Sequence, residues 1–184
     1  MRLPGSEKVM VGYDLSYSYA QISCYVTGNE EEIMTLTSVA GSEAYTIPLA
    51  LSKRQGVNQW FYGSEAIRYA EEEEGILVEN ILKLAREGEP VQVDGNTLDP
   101  VALLTLFVKR SLGLLSQITS SERIGAMMIT CENLDPKMLE VLTRVAEALH
   151  LKTENIYFQS HRESFYYYNL YQPEDLWRHR TILC

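Results

Sequence analysis

One carboxylate in this chain stands where it could hold a metal ion. Asp14 comes at the end of the first predicted strand, and the polar turn after it contains Ser16, Tyr17 and Ser18. A carboxylate at the mouth of a hairpin can hold a hydrated cation, while turn hydroxyls and backbone N–H groups can face a phosphate. The simpler alternative is that Asp14 only caps a turn, which is a common use of aspartate.

The strands on either side of this turn are predicted from period-two alternation over residues 8–15 and 19–27. A third strand is predicted over residues 33–39, so the chain opens with a three-stranded meander. The segment that follows contains a helix from Gly63 and, from its apolar stripe, a second helix over Ile76–Glu87.

The second half of the chain alternates helices and strands. Asp99-Pro100 and Asp135-Pro136 each predict a helix start, because the carboxylate accepts free N–H groups and proline fits the first helical position. The first of these helices is expected to run through residues 101–118. Ile124–Cys131 has the length and composition of a strand that is covered on both faces.

A short strand and a helix over Glu163–Tyr171 complete the pattern. Strands and helices that alternate with short links predict parallel strands joined by right-handed crossovers. Asp14 should then lie at the end of a central strand. One mixed five-stranded sheet is expected, with its third strand at an edge, from residues 8–15, 19–27, 33–39, 124–131 and 155–159.

Composition excludes several classes of function. The chain has 184 residues and is 46% hydrophobic, so it can bury a full core. Its net charge of −9 argues against a nucleic-acid partner, because such a surface needs a positive field. No apolar run approaches the roughly 20 residues that span a bilayer, and the first residues do not lead into a signal peptide. We therefore expect a cytoplasmic protein with no membrane partner.

The cysteines and histidines show no metal-binding pattern. Three cysteines, far apart in the chain, favour reduced core thiols over disulfides: Cys24, Cys131 and Cys184. Three histidines lack the spacing of metal ligands and are expected to be structural or exposed: His150, His161 and His179.

The order of elements is that of ribonuclease-H-like folds, and two segments resemble one superfamily that has such a fold. Residues 8–26 resemble the first phosphate loop of the actin, seventy-kilodalton heat-shock chaperone and sugar kinase superfamily, which has Asp, an apolar residue, Gly and small hydroxylated residues. Residues 126–170 are similar to that superfamily's strand, Asp-capped helix, short strand and late helix. The resemblance implies an α/β fold with a ribonuclease-H-like mixed five-stranded sheet, the first lobe of an actin-like ATPase.

The resemblance also implies a role for the first turn. Asp14 takes the place of the cation-side acid, and Ser16, Tyr17 and Ser18 take places near the phosphates. Two departures put phosphate binding in doubt. Ser16 replaces the superfamily's glycine, and the bulky Tyr17 replaces a small hydroxylated residue, so side chains crowd the approach that glycine would leave open.

A second set of residues matches the start of the late helix. The superfamily's water-positioning Glu or Gln aligns with Ser160, or with Gln159 after a one-residue slip, and Glu163 lies one helical turn further on. These residues are the candidates for a catalytic role beside Asp14. The alternative is helix capping, since Ser160 and Glu163 fit the S-x-x-E capping box.

The implied organisation has residues 1–7 as an N-terminal tail, 8–179 as the first lobe with 40–98 as a small inserted segment, and 180–184 as the first strand of a missing second lobe. That second lobe of the same protein would be the main partner. ATP and magnesium would be cofactors of the intact parent, and this chain would bind neither tightly. We expect the N-terminal lobe of a chaperone- or actin-like nucleotide-binding protein that cannot hydrolyse ATP alone.

Two other functions fit the same fold. A degenerate lobe could serve as a protein-interaction module that uses tyrosine-rich or acidic surfaces. A nuclease of the ribonuclease-H class would need several carboxylates around two metals, and only Asp14 falls at a suitable strand end. If the chain is one lobe of two, apolar side chains should be exposed near Asp14 and Ser160.

Overall fold

The computed structural model describes residues 8–27, 33–39, 41–72, 75–118, 124–173 and 178, and it shows a mixed α/β protein. The strands within these residues are β1 Val9–Leu15, β2 Tyr19–Val26, β3 Met34–Thr35, β4 Thr46–Pro48, β5 Leu51–Lys53, β6 Trp60–Tyr62, β7 Ile76–Val78, β8 Val91–Val93, β9 Asn96–Leu98, β10 Ile124–Cys131 and β11 Ile156–Ser160. The five described α-helices are α1 Gly63–Glu72, α2 Ile81–Glu87, α3 Pro100–Leu112, α4 Pro136–Ala148 and α5 His161–Leu170.

The main sheet is mixed and has the order β11-β10-β1-β2-β3, with β4 also paired to β2. Strand β1 runs parallel to β10 and antiparallel to β2, and β10 runs parallel to β11. The five predicted strands lie in one mixed sheet with the third at an edge, as expected, but the sheet has six strands rather than five because β4 joins it. The third strand is shorter than expected, because only Met34–Thr35 pairs with β2 and β4 takes the position beside the first hairpin.

Three local predictions are wrong. The helix predicted over Ile76–Glu87 is a strand, Ile76–Val78, followed by α2, because the strand pairs with β5 and Asn80 takes a left-handed conformation with φ of 55°. The helix predicted through residue 118 ends at Leu112 and continues as a 3-10 helix over Gly113–Gln117. The late helix begins two residues earlier than predicted, at His161.

One face of the main sheet forms the core. The inward side chains of β1 are almost fully buried, and they pack with the apolar faces of α2, α3 and α4: Val9, Val11, Tyr13 and Leu15. The hydroxyl of Tyr13 lies 2.7 Å from that of Ser111, which in turn donates to the carbonyl of Val108 at 3.0 Å. Burial raises the pKa of Tyr13 far above its ordinary value, so its hydroxyl stays neutral.

The opposite face of the sheet is open, which corrects a prediction. On β10, Met127, Ile129 and Cys131 are buried, whereas the side chains between them are only partly covered. The strand was predicted to be covered on both faces because of its continuous apolar composition. Apolar residues on the open face explain that composition equally well.

Cys24 and Cys131 are buried free thiols, as predicted, and Cys184 lies outside the described residues. No α-helix in the described part of the chain has both the length and the apolar character to cross a bilayer.

Both predicted Asp-Pro helix starts are confirmed. The carboxylate of Asp99 accepts the N–H of Val101 at 2.9 Å, and that of Asp135 accepts the N–H of Met138 at 2.9 Å. Asp135 also accepts a hydrogen bond from Nε of Arg86 at 3.0 Å, which is the main reason that its pKa lies below the ordinary value of 3.8.

We expect Asp135→Asn to remove a pH-dependent part of the free energy of unfolding. A lowered pKa gives stabilisation that is present above the unfolded-state pKa and is lost as the pH falls through the folded-state pKa. Urea unfolding should show the variant to be less stable than wild type near about pH 7, with a smaller difference near about pH 3. Asparagine still caps the helix, so the variant isolates the charge. A difference that did not change with pH would contradict this account.

Candidate functional site

A row of polar side chains crosses the open face at one end of the main sheet. The strand register places Asp14 of β1 beside Gln21 of β2 and Thr130 of β10, and places Thr130 beside Gln159 of β11. Strands β1, β10 and β11 are parallel and end at this edge. The row therefore lies where parallel strands commonly present ligand-binding side chains.

Asp14 accepts two close contacts through one oxygen. Oγ1 of Thr130 donates to Oδ1 of Asp14 at 2.8 Å, and Nε2 of His161 lies 2.6 Å from the same oxygen. The side chains of Asp14 and His161 are 34% and 35% exposed, so solvent and small ions can reach the pair. Both of these contacts, made by described residues, are to Oδ1, so within the described part of the chain Oδ2 is the oxygen that remains for a ligand.

His161 is the site residue that sequence reasoning missed. It was expected to be structural or exposed, because it has no metal-ligand spacing. The structure places it at the first position of α5, directly after β11 and over the end of β1. Its position after a predicted parallel strand was the signal that could have found it, since such strands end at the same edge of a sheet.

Ser160 and Glu163 form the predicted capping box at the start of α5. Oγ of Ser160 accepts the N–H of Glu163 at 3.2 Å, and the Glu163 carboxylate accepts the N–H of Ser160 at 2.8 Å. The N–H of Ser160, followed by its hydroxyl, which also donates to the Glu163 carboxylate at 2.8 Å, lowers the pKa of Glu163, which stays ionised. The two residues fix the helix start, and with it the position of His161.

Gln159 lies in the polar row itself. Its side-chain oxygen accepts a hydrogen bond from Oγ of Ser164 at 3.3 Å, which joins the end of β11 to the first turn of α5. Of the three residues predicted from the late helix, Gln159 is therefore the one whose side chain shares a face with Asp14.

The predicted phosphate turn is closed by its own side chain. Oγ of Ser16 accepts the N–H groups of Ser18 at 3.3 Å and Tyr19 at 3.1 Å, and it donates to the carbonyl of Tyr19 at 3.1 Å. Tyr17 is half-buried and packs against the core. The backbone N–H groups of Ser16, Ser18 and Tyr19 are thus already used within the turn.

The part of the chain that the structure describes contains no cluster of three or more His, Cys, Asp or Glu residues that could hold a metal. The nuclease alternative, which requires such a cluster, therefore has no support in those residues. Cys131 lies close to this site, but burial, followed by the charges of Asp135 and Asp14, raises its pKa to about 11. Its thiol is protonated near neutral pH and is a poor nucleophile.

The chain belongs to a protein family whose activity is not known. Residues 32–184 match the family described as "Family of unknown function (DUF5716) C-terminal". No curated protein matches the chain. The hairpin that carries Asp14 precedes the matched range, whereas Thr130, Gln159 and His161 fall within it.

Proposed function

We propose that this chain is the first, cation-side lobe of an actin-like nucleotide-binding protein, with a ribonuclease-H-like sheet. The observation that carries the proposal is the position of Asp14, at the end of the central strand and beside the ends of two parallel strands. The resemblance of residues 8–26 and 126–170 to the actin-like superfamily supports the same conclusion. The second lobe remains the proposed main partner.

The Asp14 cluster fits a hydrated magnesium ion. Magnesium prefers oxygen ligands, keeps several of its waters and is commonly held by one or two carboxylates. Oδ2 of Asp14 would hold such an ion directly or through water, and the side chains of Thr130 and Gln159 would offer polar atoms to its bound waters. A magnesium ion held there would supply charge neutralisation to the phosphates of a bound nucleotide.

The first turn fits phosphate poorly as it stands. A phosphate would have to displace the Ser16 hydroxyl from the N–H groups of Ser18 and Tyr19. Each such hydrogen bond contributes only about 1 kcal/mol, which does not offset the several kcal/mol lost when a ligand is immobilised. The chain alone is therefore expected to bind ATP no more tightly than the millimolar range, or about −4 kcal/mol.

His161 positions the carboxylate in this proposal. Its contact with Oδ1 at 2.6 Å holds the Asp14 side chain in one orientation, and its place at the first position of α5 fixes where that contact is made. Gln159 is the residue best placed to orient a water, because its amide lies in the same row. Ser160 and Glu163 support the helix start.

The experiment is a titration of magnesium and ATP followed by NMR. Backbone amide signals near Asp14, Thr130 and Gln159 should shift, with saturation in the millimolar range, and Asp14→Asn should abolish the shifts. Glu89→Gln is the matched control, since it removes the same charge at an exposed position after α2. No ATP hydrolysis by the chain alone is expected.

A second candidate is a degenerate lobe that acts as a protein-interaction module. The closed turn favours it, because Ser16 occupies the donors that a phosphate would need. Amide signals that stay unchanged throughout the magnesium and ATP titration would favour this candidate over the first.

A further inference from the structure

The open face of the main sheet forms an apolar groove. Its floor consists of side chains from four strands, and the groove has a volume of about 400 Å³. The main apolar side chains that line it are Met10, Tyr25, Ile33, Ala126, Met128 and Tyr157. Met10 is 39% exposed and Tyr157 is 51% exposed, so large apolar side chains meet solvent here. Neither Asp14 nor Ser160 lines this groove, so it does not test the exposed apolar surface that the sequence predicts beside those two residues.

Gly12 makes the middle of the groove hollow. It lies between Ser23 and Met128 across the sheet and presents no side chain toward the open side. A Cβ atom at this position would meet its nearest neighbour, the carbonyl oxygen of Ser23, at an ordinary 3.8 Å. Packing of the sheet therefore does not require glycine at this position, and the missing side chain leaves room for one from a ligand.

The strands under the groove determine which ligand backbone can bind. Strand β1 is paired along its length with β2 on one side and β10 on the other, and β10 is also paired with β11. A strand laid on this surface would find no free backbone partners and would leave its own N–H and C=O groups unsatisfied. A helix satisfies its backbone internally and binds through side chains alone, so a helix suits the groove.

The charges of the chain indicate which kind of helix would bind the groove, and in which direction. Asp14 lies beyond one end of the groove and Lys8 beyond the other, so a helix with its N-terminus toward Asp14 would have its dipole matched at both ends. The chain carries a net charge of −9, so two copies repel each other and a basic partner is attracted.

We propose that the open face binds one amphipathic helix of a basic partner protein, with its apolar side on Met10, Gly12 and Met128 and its N-terminus toward Asp14. The seven residues of β1 span roughly 20 Å, which corresponds to a helix of about 14 residues. In such a complex a helix would cover this face of the sheet, as the helices α2, α3 and α4 cover the other face. It does not require nucleotide at Asp14.

The test uses a synthetic helical peptide of about 14 residues, with leucines on one face and lysines on the other. Calorimetry at about 0.15 M salt should give a micromolar dissociation constant for the wild-type chain. A peptide of the same composition with its leucines scattered should bind at least about tenfold more weakly, and so should a peptide with glutamate in place of lysine.

Variants of the chain show where on its surface the peptide binds. Met10→Glu should weaken binding by at least about tenfold, whereas Leu139→Glu, at a residue 41% exposed on α4, should leave it unchanged. Gly12→Val fills the hollow without adding charge and should also weaken peptide binding. If Met10→Glu does not fold, the Gly12→Val variant shows whether the peptide binds in the groove. Equal binding of the scattered peptide, or full binding by the Gly12→Val variant, would overturn the proposal. Dimerisation of the wild type that Met10→Glu abolishes would assign the face to a second copy instead.

Discussion

Met127→Ala is expected to lower the free energy of unfolding by about 2–5 kcal/mol, the usual cost of removing a buried methionine side chain. Met127 is fully buried on β10, where it faces the core beneath the central strands. The cavity left by the substitution has few ways to collapse, because the surrounding positions belong to paired strands. Urea unfolding followed by circular dichroism measures the change.

The neighbouring residue supplies the control. Met128 has the same side chain on the same strand but faces the open groove, so Met128→Ala should cost less than about 1 kcal/mol. Equal losses for the two variants would mean that a layer of protein covers both faces of β10. The groove proposal would then fail together with this prediction.

Ser111→Ala is expected to cost more than its small size suggests, about 1–3 kcal/mol. The hydroxyl of Ser111 is the partner of the buried Tyr13 hydroxyl at 2.7 Å, and both residues are almost fully enclosed. Alanine would leave the Tyr13 hydroxyl buried without this partner. This hydrogen bond joins β1 to α3, so its loss also weakens the contact between sheet and helix.

Removing the other hydroxyl of this pair should destabilise the protein less. Tyr13→Phe removes one hydroxyl, but Ser111 still donates to the Val108 carbonyl at 3.0 Å and remains satisfied. The expected cost is about 1 kcal/mol or less, and the double variant should be more stable than Ser111→Ala alone. If Tyr13→Phe proved the more harmful, the assigned direction of the hydrogen bonds would be wrong.

The parts of the fold that follow from local chemistry could be predicted from the sequence. Alternation identified β1 and β2, and the Asp-Pro pairs identified the starts of α3 and α4, because a capping carboxylate and a proline act within one helical turn. The capping box of Ser160 and Glu163 was also recognisable, since it needs only the spacing of two residues.

Features that depend on distant partners could not be predicted. Ile76–Val78 fits a helical stripe as well as a strand, and its pairing with β5 decides between the two. Likewise, the contact of His161 with Asp14 joins residues 147 positions apart and depends on the order of strands in the sheet. The open face of β10 could not be predicted, because an apolar run has the same sequence pattern whether or not another layer of protein covers it.

The assignment to one lobe of a larger protein remains a prediction. The tail at residues 1–7 and the strand expected at 180–184 lie outside the described residues. The resemblance to actin-like ATPases is carried by residues 8–26 and 126–170. Within them, the carboxylate that we propose to face a cation is that of Asp14, and the turn after it has backbone N–H groups already bonded to the Ser16 hydroxyl.

The most direct test of the proposed cation-side lobe is the NMR titration of wild type and Asp14→Asn with magnesium and ATP. The wild-type amides of the polar row should shift with a dissociation constant in the millimolar range, about −4 kcal/mol or weaker, and those of the variant should not. Glu89→Gln should behave as wild type. Micromolar affinity that Asp14→Asn abolishes would contradict the proposal that this lobe alone supplies only part of a nucleotide site. Amide signals that do not shift during the titration would contradict any nucleotide role for Asp14.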